Sequence, residues 1–255
     1  METRTDEIAE GIYRISTHVP EIAPPAGFTF NQFLVAAEEP LIFHTGMRSL
    51  FPAVSAEVNR ILPVERLRWI TFGHVEADEC GAMNEFLAAA PQAEVAHPVL
   101  GCQVSLDDLA DRLPHPMADG EVLDLGGGRR VRSIDTPHVP HGWEARVLFE
   151  ENTRTLFCGD LFTHVGNGPA VREDAEGLIE AAIGAEAMFR QTSCLTATVA
   201  ALRSLAALEP ATLAVMHGSS FRGDGARVLN ELADAMHTRF SPEAGFIAVP
   251  NVAGE

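Results

Sequence analysis

The stretch Thr71-Phe72-Gly73-His74-Val75-Glu76-Ala77-Asp78-Glu79 constrains this chain most. A β-rich run from Leu67 to Phe72 ends on a glycine, and three metal-ligand residue types then follow at i, i+2 and i+4. In extended backbone, period-two spacing sends His74, Glu76 and Asp78 the same way, and an imidazole with two carboxylates at that pitch suits one or two metal ions. A competing structural reading makes Asp78 the N-cap of a following helix and puts Glu79 on that helix's positive end.

Three further segments repeat the theme. Asp135-Thr136-Pro137-His138-Val139-Pro140-His141-Gly142, Leu156-Phe157-Cys158-Gly159-Asp160-Leu161-Phe162 and Val215-Met216-His217-Gly218 each put ligand-type residues at the end of an expected strand. Sites of α/β sheets form at the carboxyl ends of strands. Four such ends carrying His, Glu and Asp point to one shared site.

The rest of the chain frames these ends. Strands are expected at Ile8–Ser16, in a hairpin Gln32–Ala37 and Pro40–His44, at Leu67–Phe72 and at Ala93–Ala96. Others are expected at Glu121–Leu125, at Arg130–Ile134, in a hairpin Arg146–Glu150 and Thr155–Cys158 about Asn152-Thr153, and at Thr212–Met216. Helical spacing covers Phe51–Leu62, Glu79–Ala90, Leu106–Arg112, Ala175–Phe189, Leu195–Leu208 and Gly225–His237. Strands thus come in two groups, each followed by helices, which suggests two sheets face to face with helices outside. Pro20 to Pro25 reads as a loop that could cover a site, and Gly126-Gly127-Gly128 reads as a turn rather than a phosphate loop.

Composition narrows the function classes. With 36 acidic and 18 basic residues the net charge is −18, a surface that repels nucleic acid and anionic lipid. No run of 18 apolar residues exists, so no membrane span is expected. Residues 1–10 are charged and lack an apolar signal region, and Cys80, Cys102, Cys158 and Cys194 form no CxxC pair, so a reducing cytoplasm is the expected location. The cysteines read as small buried hydrophobes, with Cys80 as the one open case. His18, His97, His115 and His237 read as surface or packing residues, and Phe28, Phe30, Trp143, Phe162 and Phe221 as core before pocket wall.

These motifs resemble the metallo-β-lactamase superfamily over roughly Ile8 to His237. Its hydrolytic members carry HxHxDH, and glutamate at the second position is the pattern of the flavodiiron branch, HxExDH. The loop around His141, the Cys158–Phe162 segment and His217-Gly218 are similar to that branch's histidine loop, bridging-aspartate loop and final histidine. The resemblance implies an α/β, four-layer αββα sandwich spanning residues 1–255 as one domain. It implies that His74, Glu76 and His141 hold one metal, that Asp78 and His217 hold a second, and that Asp160 bridges them.

Four departures qualify it. Glu79 stands where the branch has its last motif histidine, and could ligate through oxygen or only hydrogen-bond a water. As a helix-start residue it is expected to be the most dispensable acid of the motif. His44-Thr45-Gly46 replaces the acid that usually ends the first hairpin, leaving His44 as a supporting partner or a packed histidine. The loop before His141 is one residue longer than the branch's, so His138 competes with His141, and His164 could line the pocket. Finally, the chain stops soon after His237, leaving no room for a flavodoxin-like domain, and no flavin is expected.

The carboxylates Glu76, Asp78 and Asp160, with imidazole, form a hard donor set that favours iron over zinc or manganese. Three readings stay open at this level. The first is a diiron protein that binds or reduces dioxygen or a related small oxidant with electrons from a separate donor. The second is a metal-dependent hydrolase of an ester, thioester or phosphoester. The third is a non-catalytic diiron oxygen sensor. A homo-oligomer is compatible with all three.

Overall fold

The structure is a computed structural model that describes residues 2–241. Its first sheet has the order β1 (Glu2–Ala9), β2 (Ile12–Val19), β3 (Phe28–Val35), β4 (Leu41–Phe43), β5 (Trp69–Thr71), β6 (Glu94–Pro98) and β7 (His115–Met117). The second contains β8 (Val122–Asp124), β9 (Arg130–Asp135), β10 (Arg146–Glu150), β11 (Thr155–Phe157), β12 (Val171–Arg172), β13 (Thr212–Ala214) and β14 (Ser220–Arg222), ordered β12-β14-β13-β11-β10-β9-β8. Helices α1 (Phe51–Ile61), α2 (Ala77–Cys80) and α3 (Met83–Ala89) follow strands of the first sheet. An irregular helical stretch comes next, made of α4 (Val99–Gly101), a π turn (Cys102–Leu106) and α5 (Asp107–Leu109). Helices α6 (Ala175–Phe189), α7 (Leu195–Ala206) and α8 (Gly225–Phe240) pack on the second sheet.

Three apolar clusters stack to give four layers. Phe33, Val35, Leu41, Phe43, Leu148 and Phe157 lie in the one between the sheets. There Phe157 of the second sheet meets Phe33 and Phe43 of the first, with ring centroids 5.7 and 5.2 Å apart. Ile15, Leu34, Ile42 and Ile70 face α1 and α3 on one outside, through Val54, Val58 and Phe86. Leu156, Leu213 and Val215 face α6, α7 and α8 on the other, through Leu178, Leu202 and Leu232. Alternation along β3 serves two of these clusters at once, and all eight of its residues are buried. Covering a sheet on both faces in this way removes its polar face. This is the αββα sandwich that the resemblance implied.

Several boundaries differ from the sequence reading. The single expected strand Ile8–Ser16 is a hairpin, β1 with β2, turning at Gly11, whose φ of 68° is a left-handed conformation that glycine adopts without a side-chain clash. Helical turns run from Val99 to Leu109, earlier than the expected Leu106–Arg112. The expected helix Glu79–Ala90 is two pieces, α2 and α3. The short strands β7, β12 and β14 carry too few residues to show a period. Cys194 is exposed rather than buried, at the start of α7, while Cys102 and Cys158 are buried as expected. Among the described residues no helix is long and apolar enough to cross a membrane.

Candidate metal centre

His74 follows β5 directly, and Glu76 is still extended, with φ −134° and ψ 152°. At Ala77 the chain turns into α2. That turn overturns the expectation of three side chains pointing one way: Asp78, one helical step on, faces a different partner. The His74 Nε2 atom is 2.7 Å from Glu76 Oε2, whereas Asp78 Oδ2 is 3.3 Å from His217 Nε2.

Two donor groups result. In one, donor atoms of His74, Glu76, His141 and Asp160 all lie within 4.8 Å of one another. His141 Nε2 is 3.2 Å from Glu76 Oε2 and 3.3 Å from Asp160 Oδ2. In the other, His217 Nε2 is 3.3 Å from both Asp78 Oδ2 and Asp160 Oδ1. Asp160 therefore spans the pair, one oxygen toward each. It is buried and its Oδ1 has no hydrogen-bond partner. Only a proton on His217 or a cation between the oxygen and Nε2 can offset that buried carboxylate, and the 3.3 Å separation leaves the oxygen without a formed hydrogen bond. The donor set thus fits metal ions.

Each imidazole is held through Nδ1, so that Nε2 faces the centre. Thr29 O accepts from His217 Nδ1 (2.8 Å), Gln191 O accepts from His141 Nδ1 (3.0 Å), and Glu79 Oε1 is 3.2 Å from His74 Nδ1. An acceptor at Nδ1 fixes the tautomer that leaves Nε2 able to ligate. The charges respond strongly to one another. Burial alone would lower the His74 pKa, but Glu79 and Glu76 raise it to about 12. Burial likewise opposes the charged form of His217, and Asp160 with Asp78 raises it to about 10. His141 is raised by its hydrogen bond with Glu76, and Glu76 is held well below the usual carboxylate range by His141 and His74. In the absence of a cation, protons hold the four carboxylates and three imidazoles together, so a metal must displace them to bind.

Of the residues singled out from sequence, His74, Glu76, Asp78, His141, Asp160 and His217 come together here. The others are placed elsewhere. His138 is exposed, and only its backbone is engaged, its N–H donating to Gly142 O (2.7 Å) and its carbonyl accepting from Ser193 Oγ (3.3 Å). His164 does not line the pocket: its Nδ1 meets Phe162 O (2.8 Å) and its Nε2 accepts from Ser219 N (2.8 Å). His44 is wholly buried, with Nδ1 2.6 Å from Met216 Sδ and Nε2 3.8 Å from Glu79 Oε1. Glu79 lies in the first turn of α2, as expected. It is wholly buried behind His74, and its Oε2 accepts from the backbone N–H groups of Gly73 (2.6 Å) and His74 (2.7 Å).

Sequence reasoning missed the residues that hold the second donor group. Asn31 Nδ2 donates to Val215 O and Gly218 O, both at 2.8 Å, and Arg14 Nη2 donates to Gly218 O (2.9 Å). Thr29 Oγ1 accepts from Gly218 N (2.7 Å). The His164 ring lies so near Gly218, whose φ is 110°, that an added Cβ would sit 2.3 Å from it. Phe28 stacks on His217 at 4.4 Å and Phe30 meets it edge-on at 5.3 Å, so these two core candidates also wall the site. Gln191 serves both groups, since its Nε2 donates to Asp160 O (3.0 Å). The polar pair Asn31-Gln32 inside the apolar run of β3 was the one available signal.

Comparison with known proteins agrees with this architecture. The family described as ODP family beta lactamase matches residues 28–218. An anaerobic nitric oxide reductase flavorubredoxin of Pectobacterium carotovorum is 24% identical over 155 residues, which is 57% of this chain and 29% of that one. The rubredoxin oxygen:oxidoreductase of Desulfovibrio gigas superposes with a TM-score of 0.79 at 19% identity, covering 91% of this chain and 62% of that one. The Flv1 flavodiiron core of Synechocystis sp. PCC6803 gives 0.80 at 22% identity, covering 93% and 61%. The matches to these curated relatives span only 24 to 36% of those proteins' own length. At these identities the solved structures speak to the fold.

Proposed function

We propose, from the premise that this chain belongs to the ODP family of β-lactamases, that it is a diiron protein that binds or reduces dioxygen or a related small oxidant such as nitric oxide. The observation that carries this reading is Asp160, whose two oxygens face two separate imidazole-bearing donor groups. Six side chains would hold the metals: His74, Glu76 and His141 on one side, Asp78 and His217 on the other, and Asp160 between. Three carboxylates among six donors make a hard, anionic set, which suits iron in the ferrous and ferric states. Two iron ions held there would supply two electrons to a small oxidant.

The chain's own groups prepare the place for that chemistry. Glu76 is half exposed and stands at the opening. Phe28 and Phe30 cover His217 and keep water from its ring. Hydrogen bonds at Nδ1 of His217 and His141, and the Glu79 carboxylate 3.2 Å from Nδ1 of His74, fix the imidazoles before any ion arrives. Electrons come from a separate donor, and the net charge of −18 favours one with a basic docking face. No flavin belongs to this reading of the chain.

Metal analysis and oxygen reactivity test the proposal. Protein expressed in iron-replete medium is expected to contain mainly iron, and the anaerobic iron(II)-loaded form is expected to change its absorbance when oxygen is admitted. Sustained oxygen consumption with a chemical reductant marks an enzyme, and a single uptake without turnover marks a sensor. Stoichiometric zinc, with metal-dependent hydrolysis of a chromogenic β-lactam or a thioester and no response to oxygen, would overturn the proposal in favour of a hydrolase.

A further inference from the structure

Glu79 and His44, two of the departures from the resembled pattern, are neighbours in the structure, 3.8 Å apart from Oε1 to Nε2 and both wholly buried. Both oxygens of Glu79 are committed to the loop that carries His74. Oε2 takes the N–H groups of Gly73 and His74, and Oε1 lies beside His74 Nδ1. A carboxylate only accepts, so its position beside Nδ1 keeps a proton on that nitrogen, and when a metal displaces the proton that Nε2 shares with Glu76 it is the Nε2 lone pair that meets the ion. Nε2 is the atom that faces Glu76. His44, for its part, turns Nδ1 to the Met216 sulfur, away from the donors.

The two donor groups are consequently unequal. His74, Glu76, His141 and Asp160 contribute four side chains to one. Asp78, His217 and the second oxygen of Asp160 contribute three to the other, because the carboxylate in the adjacent motif position has been drawn behind His74. We infer that Glu79 is a positioning residue for His74 and not a metal donor, and that the two metal subsites therefore differ in affinity, with one ion held tightly and the second held loosely. The inference takes the existence of two subsites from the diiron reading. Its test uses cobalt(II) and no oxygen chemistry, so it can fail while that reading stands, and the reverse.

Apoprotein is loaded anaerobically with excess cobalt(II), passed through a desalting column, and analysed for metal and for the visible absorption of the bound ion. The wild type is expected to retain one ion per chain, and in titration the second binds at concentrations at least roughly tenfold higher. Glu79→Gln puts an amide where only acceptors fit. The amide must then present N–H to N–H or turn His74 to the tautomer whose proton sits on Nε2, and the affinity of the retained ion is expected to fall by about 10–100-fold, the usual range for an outer-shell change. The double variant His44→Asp with Glu79→His exchanges the carboxylate and the imidazole, and is expected to retain two ions. It also keeps the test open if Glu79→Gln does not fold. Retention of two ions or of none by the wild type overturns the inference. So does a Glu79→Gln protein that keeps the tight ion and loses the loose one, or a double variant that still retains one.

Discussion

The two donor groups that meet at Asp160 are built in opposite ways. On one side His74 and Glu76 come from a single loop, and the groups that brace them, Glu79 and the backbone of Gly73, lie within six residues of each other. On the other side His217 is braced by β2 and β3, through Arg14, Thr29 and Asn31, across separations of 184 to 204 residues. The His74–Glu76 half of the first group is thus set by local chain geometry, although His141 reaches it from 65 residues away, whereas His217 in the second is held by the meeting of two sheets. A perturbation of the sandwich is therefore expected to reach the His217 side first, and a perturbation of the motif loop to reach the His74 side.

The largest effect should come where the groups join. Asp160→Asn removes charge from both at once, and metal affinity on both sides is expected to fall by more than roughly 100-fold, beyond the range of outer-shell changes. Elemental analysis of the purified variant checks this, and loss from one side only would mean that Asp160 does not span them. Next in size is Asn31→Leu, which leaves the Val215 carbonyl without its side-chain donor. It should cost about 1–3 kcal/mol in urea unfolding of the apoprotein. It should also loosen the His217 side while the tightly held ion stays. Equal weakening of both sides would dissolve the contrast between local and cross-sheet construction.

Acid sensitivity offers a smaller contrast, because each side rests on a buried neutral histidine. His97 packs against Phe72, with ring centroids 4.5 Å apart, and burial with the nearby Arg146 holds its pKa well below the usual value. His164 lies under the His217 loop, and burial lowers its pKa as well. In the unfolded chain these histidines take up protons as the pH falls below about 6.5, and in the folded chain they do not. Stability is thus unaffected above that pH and declines below it, by at most about 1.4 kcal/mol per pH unit for each histidine, until the folded pKa is reached. Both ring nitrogens of His97 lack partners, so His97→Leu should flatten the acid limb of a stability–pH curve. An unchanged slope would show that His97 carries its proton in the fold. The smallest effect is expected for Phe28→Leu, which loses the stack on His217 and about 0.5–1.5 kcal/mol. A thermal melt of the apoprotein measures it, and a loss confined to the metal-loaded form would mean the stack acts only on the bound state.

How much of this could be read from the chain depended on distance along it. Ligand types at strand ends carry their own signal, because a β-run followed by glycine and then His or Asp fixes both the element and the place where the side chain emerges. Strand-end segments and the resemblance together offered His74, Glu76, Asp78, His141, Asp160 and His217 as candidates, and the fold brings these side chains together; two strand groups with trailing helices already implied two sheets. Asp78 shows the limit of periodicity: the spacing was read as extended, yet a helix begins at Ala77 and sends Asp78 to the other donor group.

What the tertiary structure alone decided is where buried polar groups find partners. Glu79 looked like a helix-start acid, and only the packed fold shows it enclosed with two backbone donors and the His74 ring. Gln191 and Asn31 act on backbone carbonyl groups or through their own, which every residue possesses and no sequence marks. The sequence by itself determined which side chains have the chemistry to hold a metal and roughly where the strands deliver them. The fold determined which of them share a centre, which are turned away behind it, and what fixes each imidazole, because a buried hydrogen bond is set by the meeting of segments that are distant along the chain.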